Sequence, residues 1–135
     1  MIANVSAFVN ELKARAETGK PVTIGLAGAG QMGTDIVVQL SLMPGLRLGA
    51  ISEVNANRAV DAALLAGHGR ERLAMTKSAA EIDSAIERGR LAITDDLSAL
   101  VAAGRIDVVI DATGNPNVGT RFALDAINHG KHVVM

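Results

Sequence analysis

The chain has 135 residues, a net charge of −1 from 13 basic and 14 acidic side chains, and no cysteine. That length suits one domain with a real core and leaves no room for two catalytic domains. The composition excludes disulfides, thiol catalysis and cysteine-ligated metals, shows no basic stripe for a nucleic-acid backbone, and leaves only Phe8 and Phe122 as aromatics, so no stacking platform for bases. No apolar run reaches the 18 or so residues of a membrane helix, and the amino terminus lacks signal-peptide order, so the expected location is cytoplasmic, with neither nucleic acid nor membrane as partner.

In chain order, Val5, Phe8, Val9, Leu12 and Ala16 make the stripe of an amphipathic helix that stops at Gly19, and residues 1–20 are expected to pack on the domain. Val22 to Ala27 is a short apolar strand that runs into glycines, and Met32 to Met43 is helical until Pro44-Gly45. Leu46 to Ser52 reads as a second buried strand despite Arg47 and Gly49, followed by a helix over Asn57 to Ala66 and its terminator Gly67. Gly67 to Lys77 is irregular. Ser78-Ala79-Ala80-Glu81 has the form of a capping box for a helix ending at Arg88-Gly89.

Leu91 to Thr94 reads as a third strand, and Asp95 or Thr94 as the cap of a helix that ends near Gly104. Ile106 to Ala112 is a strong buried strand, Thr113 to Asn117 a turn, Val118 to His129 a helix stopped by Gly130, and Lys131 to Met135 a last strand. Alternating strands and helices at this spacing predict a doubly wound, mostly parallel α/β sheet of about five strands over residues 21–135 with an extra N-terminal helix.

"GAGQMG", Gly28 to Gly33, has the G-x-G-x-x-G spacing, follows a strand, opens a helix and precedes Glu53 by twenty residues, the pattern of a Rossmann NAD(P)-binding domain over residues 21–135. Gly28 permits the tight turn, Gly30 lets a pyrophosphate approach the backbone, and Gly33 lets helix and strand pack closely. With Ala29 between them, the amides of Gln31 and Met32 are expected to face the phosphates. Glu53 at the end of the second strand can accept hydrogen bonds from the adenosine ribose, which favours NAD. Arg58, with Ser52, Asn55 and Asn57, can instead turn toward a 2′-phosphate, so the same loop argues for both cofactors. Thr113, Gly114, Asn115 and Pro116 follow a central strand and are expected to border the nicotinamide, a role compatible with turn formation and helix capping.

Other polar groups read as structural. His68, His129 and His132 lack metal-site spacing, and no metal ligands are assigned. Asp95-Asp96 reads as helix capping. Asp111, inside an apolar strand, must be paired or lie at the sheet's open edge.

The motifs "VTIGLAGAGQMG", "AISEVNANRA", "DVVIDATGNPNVG" and "AINHGKHVVM", in this order, resemble the NAD(P)-dependent oxidoreductases related to homoserine dehydrogenase and to the glucose-fructose oxidoreductase/inositol dehydrogenase family. More narrowly, the N-terminal helix, the long segment before "LAITDD" and the "IDATGNPNVG" turn resemble homoserine dehydrogenase-like proteins carrying a C-terminal SAF domain. That group includes enzymes like 1-deoxy-D-xylulose 5-phosphate reductoisomerase.

The resemblance implies a cofactor half whose catalytic and oligomerisation domain follows residue 135, with hydride transfer between nicotinamide and a carbonyl or alcohol. It further implies NADP(H), with NAD(H) left open by Glu53, a homo-oligomer formed through that second domain, and any divalent-metal ligands also downstream. The specific expectation is a reductoisomerase-like parent in isoprenoid precursor synthesis; homoserine dehydrogenase, a sugar or polyol dehydrogenase, and a non-catalytic dinucleotide-binding module are the alternatives. In the related sugar and inositol dehydrogenases the last strand leads into a catalytic E-K-P lysine; Lys131 precedes the strand and is not its counterpart. The apolar ending "VVM" reads as a strand interior, as in a domain cut from a longer chain.

Overall fold

The computed structural model describes residues 2–135, with side chains from Val5 onward; Met1 of the predicted 1–20 segment lies outside the described residues. The order is α1 (Ile2–Glu17), β1 (Val22–Ala27), α2 (Gln31–Ser41), β2 (Leu46–Ser52), α3 (Ala56–Leu65), a 3-10 turn at Arg70–Arg72, β3 (Leu73–Met75), α4 (Ala79–Glu87), β4 (Leu91–Thr94), α5 (Leu97–Ala102), β5 (Val108–Asp111), α6 (Pro116–Asn128) and β6 (His132–Val134). All strand pairs are parallel, in the order β3-β4-β2-β1-β5-β6.

Six strands form where the sequence predicts about five. The extra one, β3, is three residues at the sheet edge, inside the segment read as irregular. Leu73 and Ala74 are only partly buried and Met75 is exposed, so no buried-strand pattern announces it. Boundaries shift as well: β5 spans Val108–Asp111 rather than Ile106 to Ala112, α6 begins at Pro116, inside the stretch read as a turn, because Asn115 caps it, and Asp96, not Asp95 or Thr94, caps α5 by accepting from the amides of Ser98 and Ala99. Thr94 Oγ1 instead accepts from the Asp96 amide and sets up that cap.

The sheet separates two apolar cores. On one face β-strand side chains Ile24, Leu26, Leu48, Ile51 and Ile93 pack with Val37 and Leu40 of α2 and Ala59, Ala62 and Ala63 of α3. On the other, Ala27, Ala50 and Ala92 are small, and the bulk comes from Ile82 and Ile86 of α4, Leu100 of α5, Phe122 of α6, and Ile106 in the segment before β5. Small strand residues opposite large helix residues let α4, α5 and α6 lie close to the sheet, which is how a chain with two aromatics fills its interior.

Gly49 belongs to that arrangement. The β1–β2 register skips one residue between Ile24↔Leu48 and Gly25↔Ala50, so Gly49 is the bulged residue. A Cβ there would stand 2.6 Å from Thr23 Cγ2 and 3.0 Å from Ile86 Cδ1. The glycine that weakens the strand pattern in the sequence is required by packing.

Helix α1 forms as the stripe predicts, but its contact with the domain is narrow. Leu12 is buried, and its carbonyl lies against Gly45, whose φ of +85° suits the turn into β2. Val5, Phe8 and Val9 remain 63%, 58% and 40% exposed. Among the described residues no helix is long and apolar enough to cross a membrane.

Candidate functional site

The chain runs outward from β1 to β2, reaches β4 and β3 on that side, and then crosses to β5 on the opposite side of β1. Such a reversal opens a crevice beyond the carboxyl ends of the two strands that diverge, here β1 and β5. The loops leaving these ends are tied together by backbone hydrogen bonds. The Gly28 amide donates to Ser52 O at 2.8 Å, Glu53 to Thr94 O at 2.9 Å, and Ala112 to Ala27 O at 2.8 Å. The result is a cleft of about 690 Å³ in the size range of small-molecule sites.

Its floor is the glycine turn, and the three glycines divide the work. Gly28 has φ +95°, and a Cβ would sit 2.5 Å from Ala112 O; a Cβ on Gly33 would strike the Gly28 carbonyl. Both are demanded by the fold. Gly30 has φ −73° and nothing within 4 Å of where its Cβ would be. The fold therefore leaves open the space above Gly30, on the cleft side of the turn.

Capping chemistry points the same way. Asn55, Ser78, Asp96 and Asn115 cap α3, α4, α5 and α6 with side-chain oxygens, whereas the residue at the cap of α2 is Gly30, which has no side chain to offer. The amides of the first turn of α2, with the positive end of its dipole, are left for an anion.

The wall opposite is Glu53, whose side chain is 13% exposed and whose Oε1 lies 3.8 Å from Arg58 Nη1. Arg58 is 64% exposed. Asn55 Oδ1 accepts from the Asn57 amide as the α3 cap, which commits that oxygen to the helix.

At the far end, Asp111 Oδ1 accepts from both the amide and the hydroxyl of Thr113, at 2.9 and 2.7 Å, and Asp111 Oδ2 lies over Gly119, where a Cβ would displace it. Thr113 Oγ1 accepts from the Asn115 amide, and Asn115 Oδ1 accepts from the amides of Asn117 and Val118. Asp111, half-buried at the end of β5, thus shapes the loop that borders the cleft.

Of the residues predicted from the sequence, Gly28, Ala29, Gly30, Ser52, Glu53, Arg58, Thr113 and Asn115 line the cleft. Gln31, Met32, Gly33, Asn55, Asn57, Gly114 and Pro116 do not line it. The sequence reading passed over Val54, Asp95, Asp96, Leu97, Ser98 and Val118, which also line it. Their signal was present in one respect: they follow the carboxyl ends of β2 and β4 or open α6, the edge where such folds bind ligands.

The model of the family described as "Homoserine dehydrogenase, NAD binding domain" matches residues 28–135. The chain belongs to that family. A homoserine dehydrogenase from Methylobacillus glycogenes is 31% identical over 118 residues, which is 85% of this chain and 24% of the relative. Among solved structures, the fold matches a scyllo-inositol dehydrogenase from Lactobacillus casei with NAD(H) and scyllo-inositol at a TM-score of 0.61, 19% identity, 84% of this chain and 27% of that one. A biliverdin reductase from Synechocystis sp. PCC 6803 with biliverdin and NADP+ matches at 0.61 and 19%, over 84% and 28%. The chain spans about a quarter of the length of these proteins. This homoserine dehydrogenase-type NAD-binding domain therefore places its glycine turn, Glu53 and the Asp111-ordered loop around one cleft.

Proposed function

We propose that the cleft holds a nicotinamide dinucleotide with its pyrophosphate over Gly30, its adenosine ribose at Glu53 and its nicotinamide toward Thr113 and Asn115. The open space at Gly30 carries this reading: the neighbouring glycines are needed by the backbone, and this one is needed only if something else comes close. The amides of Gln31 and Met32 at the start of α2 supply the donors and the dipole for the phosphates.

The bound nicotinamide would supply hydride transfer to or from a carbonyl or alcohol carbon. The residues of this chain bind and orient: Glu53 fixes the ribose, the first turn of α2 neutralises phosphate charge, and Thr113, positioned by Asp111, limits where the nicotinamide carboxamide can sit. Glu53 is largely buried in the wall of the cleft and Arg58 is exposed at its rim, so NAD(H) is the preferred cofactor, with NADP(H) admitted when Arg58 turns to the 2′-phosphate.

The parent protein is inferred to be an oxidoreductase whose substrate domain, oligomer contacts and catalytic groups follow residue 135. Homoserine as substrate is supported by the name of the 31% identical relative. The reductoisomerase reading rests on motif resemblance alone, and an assay of the full-length protein with each substrate separates the two.

Binding is measured by titrating NADH and NADPH and following cofactor fluorescence, which is free of protein background because the chain has no Trp or Tyr. Saturable binding is expected and Gly30→Val is expected to abolish it while the domain stays folded. No binding of either cofactor at millimolar concentration overturns the reading.

A further inference from the structure

The opposite, amino edge of the sheet carries a second cavity, about 240 Å³, walled by His68, Arg72, Arg90 and Arg47 over an apolar floor that includes Leu40 and Leu91. It is a separate place: β2 spans both edges, and its six steps from Leu46 to Ser52 amount to roughly 20 Å.

Register brings the cations together. Leu73 of β3 pairs with Leu91 of β4, and Arg72 and Arg90 are the residues immediately before these partners, so both enter the wall of this cavity at the same end of two neighbouring strands. Neighbouring like charges repel, and this cavity wall contains no carboxylate. The acids nearest in sequence are engaged elsewhere: Glu71 folds back over Gly69, and Glu87 pairs with Arg105. Among the described residues neither Arg72, Arg90 nor Arg47 has a carboxylate within 4.0 Å. Arg47 donates to the Ile86 carbonyl, which leaves Arg72 and Arg90 as the uncommitted guanidinium groups. Half-buried His68 is held below its ordinary value, first by desolvation and then by Arg72.

We infer that this cavity is an oxyanion site, taking a phosphate or carboxylate group between Arg72 and Arg90 with His68 as a third contact. Guanidinium pairs match such groups in charge and planar geometry, the cavity volume suits a compact anion rather than a dinucleotide, and an anion there removes the uncompensated repulsion. The competing account is that these side chains only complement the C-terminal ends of α3 and α4, which finish at this edge.

The test is a ¹H–¹⁵N NMR titration of the 135-residue chain with sodium phosphate, sodium acetate and sodium chloride at matched ionic strength. Saturable shifts at His68 and Arg90 are expected with phosphate or acetate at millimolar concentration and not with chloride. A response to phosphate alone assigns a phosphoryl ligand; one to acetate as well extends the site to carboxylates. The double variant Arg72→Gln/Arg90→Gln is expected to weaken binding tenfold or more with NADH affinity unchanged, which also reports that it is folded. Linear shifts equal for all three salts, or saturation unaltered in the double variant, overturn the inference.

Discussion

At the scale of single residues, the glycine turn separates fold from function more sharply than its spacing does. Gly33→Ala forces a methyl group against the Gly28 carbonyl, an overpacked contact of the kind that costs about 1–3 kcal/mol; chemical denaturation is expected to show that loss even without cofactor. Gly30→Val meets nothing and changes stability little, so its effect is confined to binding. If Gly30→Val were as destabilising as Gly33→Ala, the division of labour would be wrong.

His68 gives a second residue-scale expectation. Its folded-state value lies below the ordinary 6.5 because of burial and of Arg72, and Arg47 and Arg90 also face the same cavity. The unfolded chain then binds the proton more readily, so stability is undiminished above pH 6.5 and declines as pH falls through 6.5 toward the lower folded value. His68→Asn is expected to flatten the stability profile between pH 7.5 and 5.5, measured in phosphate- and carboxylate-free buffer.

At the scale of elements, caps decide how the site loops are held. Asp96 accepts from two amides at the start of α5, and Asp96→Ala is expected to cost about 1 kcal/mol, the usual worth of an N-cap, read as a shift of the denaturation midpoint. Much of this level was legible in the sequence: the capping box appears with Ser78 Oγ accepting from the Glu81 amide, although Glu81 reaches back to the Lys77 amide rather than to Ser78. Gly19, Gly67, Gly89 and Gly130 all have positive φ, where the helix ends were placed. What was not legible depended on long-range pairing. β3 exists because Leu73 to Met75 finds a partner in β4, and Asp95 and Asp96 are distinguishable only once Thr94 Oγ1 fixes which of them begins the helix. The cleft was legible as motifs at strand ends, but the share taken by Val54, Leu97 and Ser98 follows from the strand order, which sequence spacing does not specify.

At the scale of the whole molecule, the sheet has one edge that gathers loops around a cleft and one that gathers arginines, with an apolar core on each face to keep the two apart. The backbone bonds that close the cleft, from Gly28 to Ser52, Glu53 to Thr94 and Ala112 to Ala27, join β1, β2, β4 and β5. A ligand seated there bridges loops from both sides of β1 and is lost when the domain unfolds. NADH at a hundredfold excess over its Kd is therefore expected to stabilise the domain by about 2.7 kcal/mol, seen as a thermal midpoint several degrees higher. The cofactor dependence should follow the site: Gly30→Val eliminates the shift, and Glu53→Ala reduces it for NADH while preserving or enlarging it for NADPH, because Arg58 loses its carboxylate partner and stays available to a 2′-phosphate. A shift for NADH that survives Gly30→Val, or equal losses for both cofactors in Glu53→Ala, would place the dinucleotide elsewhere or turn Glu53 away from the ribose.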